Sequence, residues 1–446
     1  MKAINLTEGS ITGNIRRFAV PYMLAYCLQI LYNLADLFII GQYCGVDATT
    51  AVSNSGQVMH LVTAVLIGLA MGTTVEIGQS VGANDSRRTA KTIGTTVTMF
   101  LIIAVVLGVA LIGLCHTIVT AIDTPAEAVE GSVDYLMVCF AGVPFIIGFN
   151  ILASIFRGLG DSRSPMVFVA VACVVNIALD YLLIGALGMG AMGAALGTTL
   201  SQMVSVAVAI VAIRRRGLFP QLSRSDFRID GRTARRIMKV GSPIALQDGF
   251  IQVSFIAITI IANNRGLHDA AAVGIVEKFI GMLFIVPSAM LASVSAISAQ
   301  CIGANRIGRA ITTMKYAIVI TAGFGVCAAT VLQFVPDLAV RIFTHDESVV
   351  ALGAEYLRGY AWDCALAGVH FCFSGFFTAC GLSIVSFVHN VASIVTARVP
   401  LAYLASIKYP DTLYPMGLAT CAGSVVSIVI CLAAYRWLRR HHRIHA

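Results

Sequence analysis

Charge is what this chain has least of. Only 12% of its 446 residues are Asp, Glu, Lys or Arg, while 58% are hydrophobic and the mean hydropathy is +0.86. A soluble domain carries roughly a quarter charged residues, so a water-soluble globule is excluded. No CxxC pair occurs among the twelve cysteines, which stand singly, mostly inside apolar blocks. They read as small packing residues, and neither a disulfide framework nor a structural zinc is expected. No GxxxxGK[ST] loop is present to cradle ATP phosphates. The first apolar block carries Gln29, Asn33 and Asp36 with no small-residue cleavage site after it, so it is expected to be a retained helix rather than a signal peptide.

What the chain has is long apolar blocks, and a bilayer core needs about 20 such residues per helix. Blocks and breakers give twelve candidate helices, near 16 to 41, 49 to 76, 89 to 114, 131 to 156, 165 to 185, 190 to 213, 236 to 262, 271 to 298, 309 to 333, 349 to 374, 381 to 407 and 412 to 437. One long polar connection, rich in arginine, separates the sixth from the seventh. The expected organisation is an N-terminal six-helix lobe (1–213), a basic linker (214–235) and a C-terminal six-helix lobe (236–446). Lys and Arg crowd one set of connections, with Lys2, Arg16, Arg17, Arg87, Arg88, Lys91, Arg157, Arg163, the linker, Arg306, Arg309, Lys315 and the tail through Arg443. The opposite set holds Arg265, Arg341 and Lys408. Positive residues stay in the cytoplasm, so both termini and the linker are expected there, and the net charge of +8 needs no nucleic-acid partner.

The halves repeat. Gln79, Gly82, Ala83 and Asn84 recur as Gln300, Gly303, Ala304 and Asn305, an offset of 221 (300 minus 79), and Gly160 recurs as Gly381. Pro21 recurs as Pro243, an offset of 222 (243 minus 21). Six helices per half give both copies one orientation, so the expected fold is an all-α polytopic membrane protein of two six-helix bundles about a pseudo-twofold along the membrane normal. Such a design places a cavity between bundles and suits alternating access, which few enzymes need.

An ionisable group inside the membrane costs at least about 2.5 to 3.5 kcal/mol at a helix centre and is a functional pointer by default. On helix one, Gln29, Tyr32, Asn33 and Asp36 follow three- and four-residue spacing and form one polar stripe. On helix five, Asn176 and Asp180 are four apart and share a face. Thr198 falls ~10 Å along helix six at 1.5 Å per residue, a depth similar to that of Asp36 and Asp180. Two carboxylates, an amide and a hydroxyl at one level suit a hard cation or a shared proton. Their counterparts in the second half are Ile258, Ala397, Leu401 and Ala419, all apolar, so packing common to both halves does not require them. The second half carries charges of its own at Asp248, Glu277, Lys278, Glu355, Arg358, Asp363 and Arg398. Glu355 and Arg358, three apart, are expected to neutralise each other, and Asp248 and Asp363 to face substrate, together with Gln29, Tyr32 and Asn33. His370 and His389 are lone imidazoles on apolar helices and read as packing residues.

LYNLADLFIIGQYCG in helix one, RGLGDSRSPM at 157–166, VNIALDY around Asn176 and Asp180, and the two GAN turns together resemble the prokaryotic branch of the multidrug and toxic compound extrusion (MATE) family. The likeness runs through nearly all the chain. It implies a secondary active transporter of a bacterial inner membrane, acting as a monomer, that exports organic cations and amphiphilic drugs in exchange for sodium or protons and uses no other cofactor. Asp36, Asn176, Asp180 and Thr198 match the family's N-lobe cation site. Some sodium-coupled members carry an acid on helix seven near the position of Ile251, whereas here Asp248 stands nearly one turn earlier. Rival readings are thinner. Gly188, Gly190 and Gly193 spell GxGxxG without a preceding strand, and the GxGD string at Gly158–Asp161 is crowded by Arg157, Arg163 and Pro165 into a loop, so neither nucleotide binding nor intramembrane proteolysis is expected, and the chain is read as no enzyme. The serious alternative is a lipid-linked oligosaccharide or lipid flippase of the same superfamily, whose cavity would be expected to be cationic for phosphates, while the candidate cavity groups here are acids.

Overall fold

The computed structural model describes residues 4–122, 124–216 and 222–441; Lys2 and Arg443 lie outside them, as does part of the linker. Among the described residues, ten helices are long and apolar enough to cross a membrane. In chain order, helices one to three are Ile11–Tyr43, Val46–Gly82 and Ser86–Ala121, helices five to nine Arg163–Ala186, Gly190–Arg215, Gly231–Asn263, Leu267–Gly303 and Ile307–Phe334, and the last two Ser383–Lys408 and Tyr414–Arg440. Helix four is a bent pair, Ala126–Ala141 and Val143–Gly158, turned by 50°. Helix ten is built from Glu347–Tyr360 and Asp363–Ala379. Counting each of these two pairs as one helix, these elements make twelve helices in chain order, and no strand occurs among the described residues.

The turns repeat with the sequence. Asn84 and Asn305 take left-handed backbone at φ 55° and 57°, and Gly160 and Gly381 at 85° and 73°. Asparagine and glycine tolerate this region best. Each sits two residues past the last helical residue, and the next amide reaches back five residues: Asp85 to the Ser80 carbonyl, Arg306 to Cys301, Asp161 to Phe156 and Leu382 to Phe377. Asp161 has a plain role there, since its carboxylate accepts from the amides of Arg163 and Ser164 and from the Ser164 hydroxyl, starting helix five.

The chain divides into two compact units. Unit one holds Val20–Gly241, and unit two holds Leu6–Ala19 with the chain from Ser242 onward. The described part of the linker thus belongs with unit one. Its short turn Arg224–Phe227 lies along helix three, where Thr98 donates to the Phe227 carbonyl at 2.7 Å and Lys91 pairs with Asp230 at 3.1 Å. Nearby, the buried Glu76 receives Arg88 at 2.8 Å and Arg236 at 3.3 Å. In unit two, Arg306 and Arg309 hold the carbonyls of Thr7, Glu8 and Gly9, and Gln300 Oε1 accepts from the Leu6 amide.

Candidate functional site

Three helices of unit one bring the polar groups together. Asp36 stands two turns before the end of helix one. Asn176 and Asp180 occupy the last α-helical turns of helix five, which then widens into a π-helical turn over Tyr181–Ala186. Thr198, on helix six, donates to Asp36 Oδ2 at 3.5 Å. Asp36 is also close enough to Asp180 and Asn176 to interact with both. All three are buried, with exposures of 7%, 0% and 1% for Asp36, Asp180 and Asn176.

What is unusual is how little of this cluster is satisfied. Oδ1 of Asp36, both carboxylate oxygens of Asp180 and both amide atoms of Asn176 are buried without a hydrogen bond of good geometry. Buried carboxylates are normally paired or fully hydrogen-bonded, because an isolated charge in low dielectric is costly. The groups acting on Asp36 are Asp180, Asn176 and Thr198, none of them a cation. The donor set, oxygen-rich and short of positive charge, fits a hard monovalent cation or one or two protons.

Sequence reasoning missed Gly197. A Cβ built there would strike Asp180 Oδ1 and approach Asn176 Nδ2 at 3.6 Å, so helix six passes the carboxylate with its bare backbone. Only the run of small residues GAMGAALG hinted at such an approach. Tyr135 and Cys139 of helix four were missed too, both buried and within electrostatic reach of Asp36.

The helix-one stripe divides. Gln29 lines a cleft with Tyr22, Tyr26, Asn150 and Arg157, Tyr32 is half-buried and interacts with Asp36, and Asn33 is exposed. In unit two, Asp248 interacts with Gln247, whereas Asp363 sits with Arg398 and Ser424. The expected Glu355 to Arg358 pair does not form. Glu355 instead accepts from the Thr412 hydroxyl at 2.6 Å and the Leu413 amide at 3.2 Å, and Arg358 is exposed, as is Lys278. A three-residue spacing permits an ion pair, but the loop before helix twelve offers Glu355 two donors without immobilising an arginine. Arg398 lies over the Phe255 ring at 4.9 Å and donates to the Tyr360 hydroxyl at 2.7 Å, with Glu277 and Asp363 acting on it. Ile258, Ala397 and Ala419 are buried apolar packing, and Leu401 is exposed.

Comparison with known proteins agrees with this architecture. The MatE family model matches residues 21–182 and again 243–404, two copies 222 residues apart (243 minus 21). The chain is 27% identical over 407 residues to the probable multidrug resistance protein YpnP of Bacillus subtilis, covering 91% of each. It is 25% identical to the probable multidrug resistance protein NorM of Thermotoga maritima, over 90% of this chain and 86% of that one. Among solved structures it resembles a MATE in complex with MaL6, with TM-score 0.91 at 22% identity over 99% and 98% of the two chains. It also resembles an outward-facing multidrug resistance MATE transporter of the MOP superfamily, with TM-score 0.89 at 21% identity over 99% and 98%. At those identities the structural likeness speaks to the fold, and the family rests on the doubled sequence match, which spans well over half the chain. The protein is a multi-pass membrane protein and belongs to the MatE family, the multidrug and toxic compound extrusion transporters.

Proposed function

We propose that the protein is a secondary active antiporter of a bacterial inner membrane, exporting cationic or amphiphilic organic molecules in exchange for Na⁺ or H⁺, with both termini in the cytoplasm and one chain as the working unit. The observation that carries this reading is the set of five partnerless buried polar atoms on Asp36, Asn176 and Asp180, gathered where no protein cation balances them. Two positive charges entering from outside, as cations or protons, would neutralise the carboxylates, with the remaining oxygens supplied by Asn176 and Thr198. Loss of those charges to the inside leaves two buried carboxylates that only other cations or protons can balance, and this ties the conformational cycle to ion entry. The names of relatives such as YpnP and NorM support drugs as cargo. Acids at Asp248 and Asp363, in unit two, support a positive charge on that cargo, with Gln29, Tyr32 and Asn33 as further candidates to line its path.

The driving force is ordinary. Each entering charge releases about 2.3 kcal/mol per 100 mV, plus about 1.4 kcal/mol per tenfold concentration gradient. The test is Asp36→Asn in proteoliposomes with sodium and proton gradients imposed separately. Gradient-driven ethidium flux is expected to disappear while the protein stays monodisperse and folded. Wild-type flux in that variant would refute the assignment.

A further inference from the structure

Unit two holds a second run of buried polar groups that the proposed ion site does not use. Asp363 interacts with Ser424, whose hydroxyl lies 3.3 Å from Nε2 of His370. The His370 ring stands edge-on to His389, with centroids 5.7 Å apart. His389 is held at both nitrogens, by the Ser374 hydroxyl at 2.8 Å and the Ser427 hydroxyl at 3.0 Å. Beyond it, Ser386 donates to the Ser374 carbonyl at 3.2 Å, and Ser383 lies buried at the start of helix eleven. Asp363 is seven residues, or ~10 Å, from His370 along one helix, and His389 is six residues, or ~9 Å, from Ser383 along the next. The run therefore leads from deep in the span to the turn at Gly381, where residues become half-exposed.

Two features set it apart from packing. Apart from the Ser374 carbonyl that Ser386 meets, its links are side chains that can both accept and donate a proton, since imidazole and hydroxyl are amphoteric while an amide is not. Its deep end is also unsatisfied: Nδ1 of His370, Oδ1 of Asp363, Oε1 of Glu277, Nε of Arg398 and the Tyr356 hydroxyl are buried without hydrogen-bond partners. Two acids face one guanidinium there, so a single proton makes the cluster neutral, the cheapest state within a membrane.

We propose that His370 and His389, with Ser424, Ser374 and Ser427, form a proton path joining the charged cluster around Asp363 to the Gly381 end of unit two. Each imidazole gains a proton at one nitrogen and loses one from the other, and each hydroxyl does the same on one oxygen. One proton leaves a carboxylate, one is released at the turn on the cytoplasmic side, and nothing else is consumed. Few charges disturb the path. His370 feels His389 and Arg398. The second segment of helix eight, Ile285–Gly303, contains no charged residue. Helix nine presents Thr321 to Cys372, and its Arg309 is engaged by the carbonyls of Glu8 and Gly9. Helix twelve adds Tyr435, which packs on Phe373 and Phe376.

This rests on the antiport reading, deepening it by naming a route for protons, and its test separates the two. His370→Gln, His389→Gln and the smaller change Ser424→Ala are each reconstituted, and ethidium flux is measured under a pH gradient and as ethidium counterflow, which needs no net proton movement. The ratio of gradient-driven flux to counterflow is expected to fall about tenfold or more in all three. A ratio equal to wild type, or equal loss of both fluxes in all three variants, overturns the path and leaves a packing role. A wild type driven by a sodium gradient and indifferent to pH also overturns it, while leaving the antiport itself standing.

Discussion

At the scale of single residues, the site depends on an atom that is missing. Gly197 brings the backbone of helix six against the Asp180 carboxylate, and any Cβ would collide with Oδ1. Gly197→Ala should therefore turn Asp180 away from Asp36 and lower ion-driven transport by at least about tenfold, the scale on which a misplaced coordinating group acts. The same change favours the helix, by up to about 1 kcal/mol. Opposite signs are diagnostic: a variant with an equal or higher melting temperature and lost ethidium flux supports the geometry, whereas wild-type flux would show that Asp180 does not need that clearance. The sequence made the acids themselves legible because charge in an apolar block is costly and a spacing of four puts Asn176 and Asp180 on one face. Gly197 was illegible, since its role exists only where two helices touch. Glu355 was misread for a related reason, because spacing along one helix says nothing of donors arriving from another loop.

Among elements, the linker turned out more structured than its arginine-rich sequence implied. Ser223 and Asp226 close a reciprocal cap, and Asp230 starts helix seven by accepting from the Thr233 amide at 3.1 Å and hydroxyl at 2.6 Å while pairing with Lys91. The Thr233 hydroxyl, then Lys91, hold the Asp230 carboxyl down at about 2. A carboxyl depressed below its unfolded value stabilises fully above about pH 4 and loses that contribution as pH falls through its folded value. Asp230→Ala should cost about 1 kcal/mol near neutral pH, as a lost cap does. In thermal melts in detergent, the gap between wild type and variant is expected to shrink as pH drops from about 5 towards about 2. A gap constant across that range would mean that ionisation of the Asp230 carboxyl contributes nothing to stability. Helix positions were readable from apolar length, and the four left-handed turns from their Asn and Gly. The break in helix ten between Tyr360 and Asp363 was not, because no proline marks Ala361 and Trp362.

At the level of the whole molecule, duplication made the architecture readable, yet the two halves exchange their opening segments. Leu6–Ala19 packs with unit two and the start of helix seven with unit one, each change of unit falling two residues or fewer before Pro21 and Pro243. A symmetric sequence cannot reveal this, since either bundle could receive either segment. The halves also differ in charge. Unit one gathers two carboxylates around no cation, while unit two gathers Asp363 and Glu277 around Arg398. Neutralising the first pair takes two positive charges, so the expected cycle admits two for each monovalent cation exported and moves one net charge inward. A potential of 100 mV would then add about 2.3 kcal/mol per turnover, close to a further 50-fold in the ethidium gradient sustained at 1.4 kcal/mol per decade. Potassium and valinomycin set that potential in proteoliposomes without altering the ion gradients. Ethidium flux should quicken when the side receiving the coupling ions is made negative. Flux indifferent to potential would mean that one charge is exchanged for one, with one of Asp36 and Asp180 staying neutral on its own proton throughout.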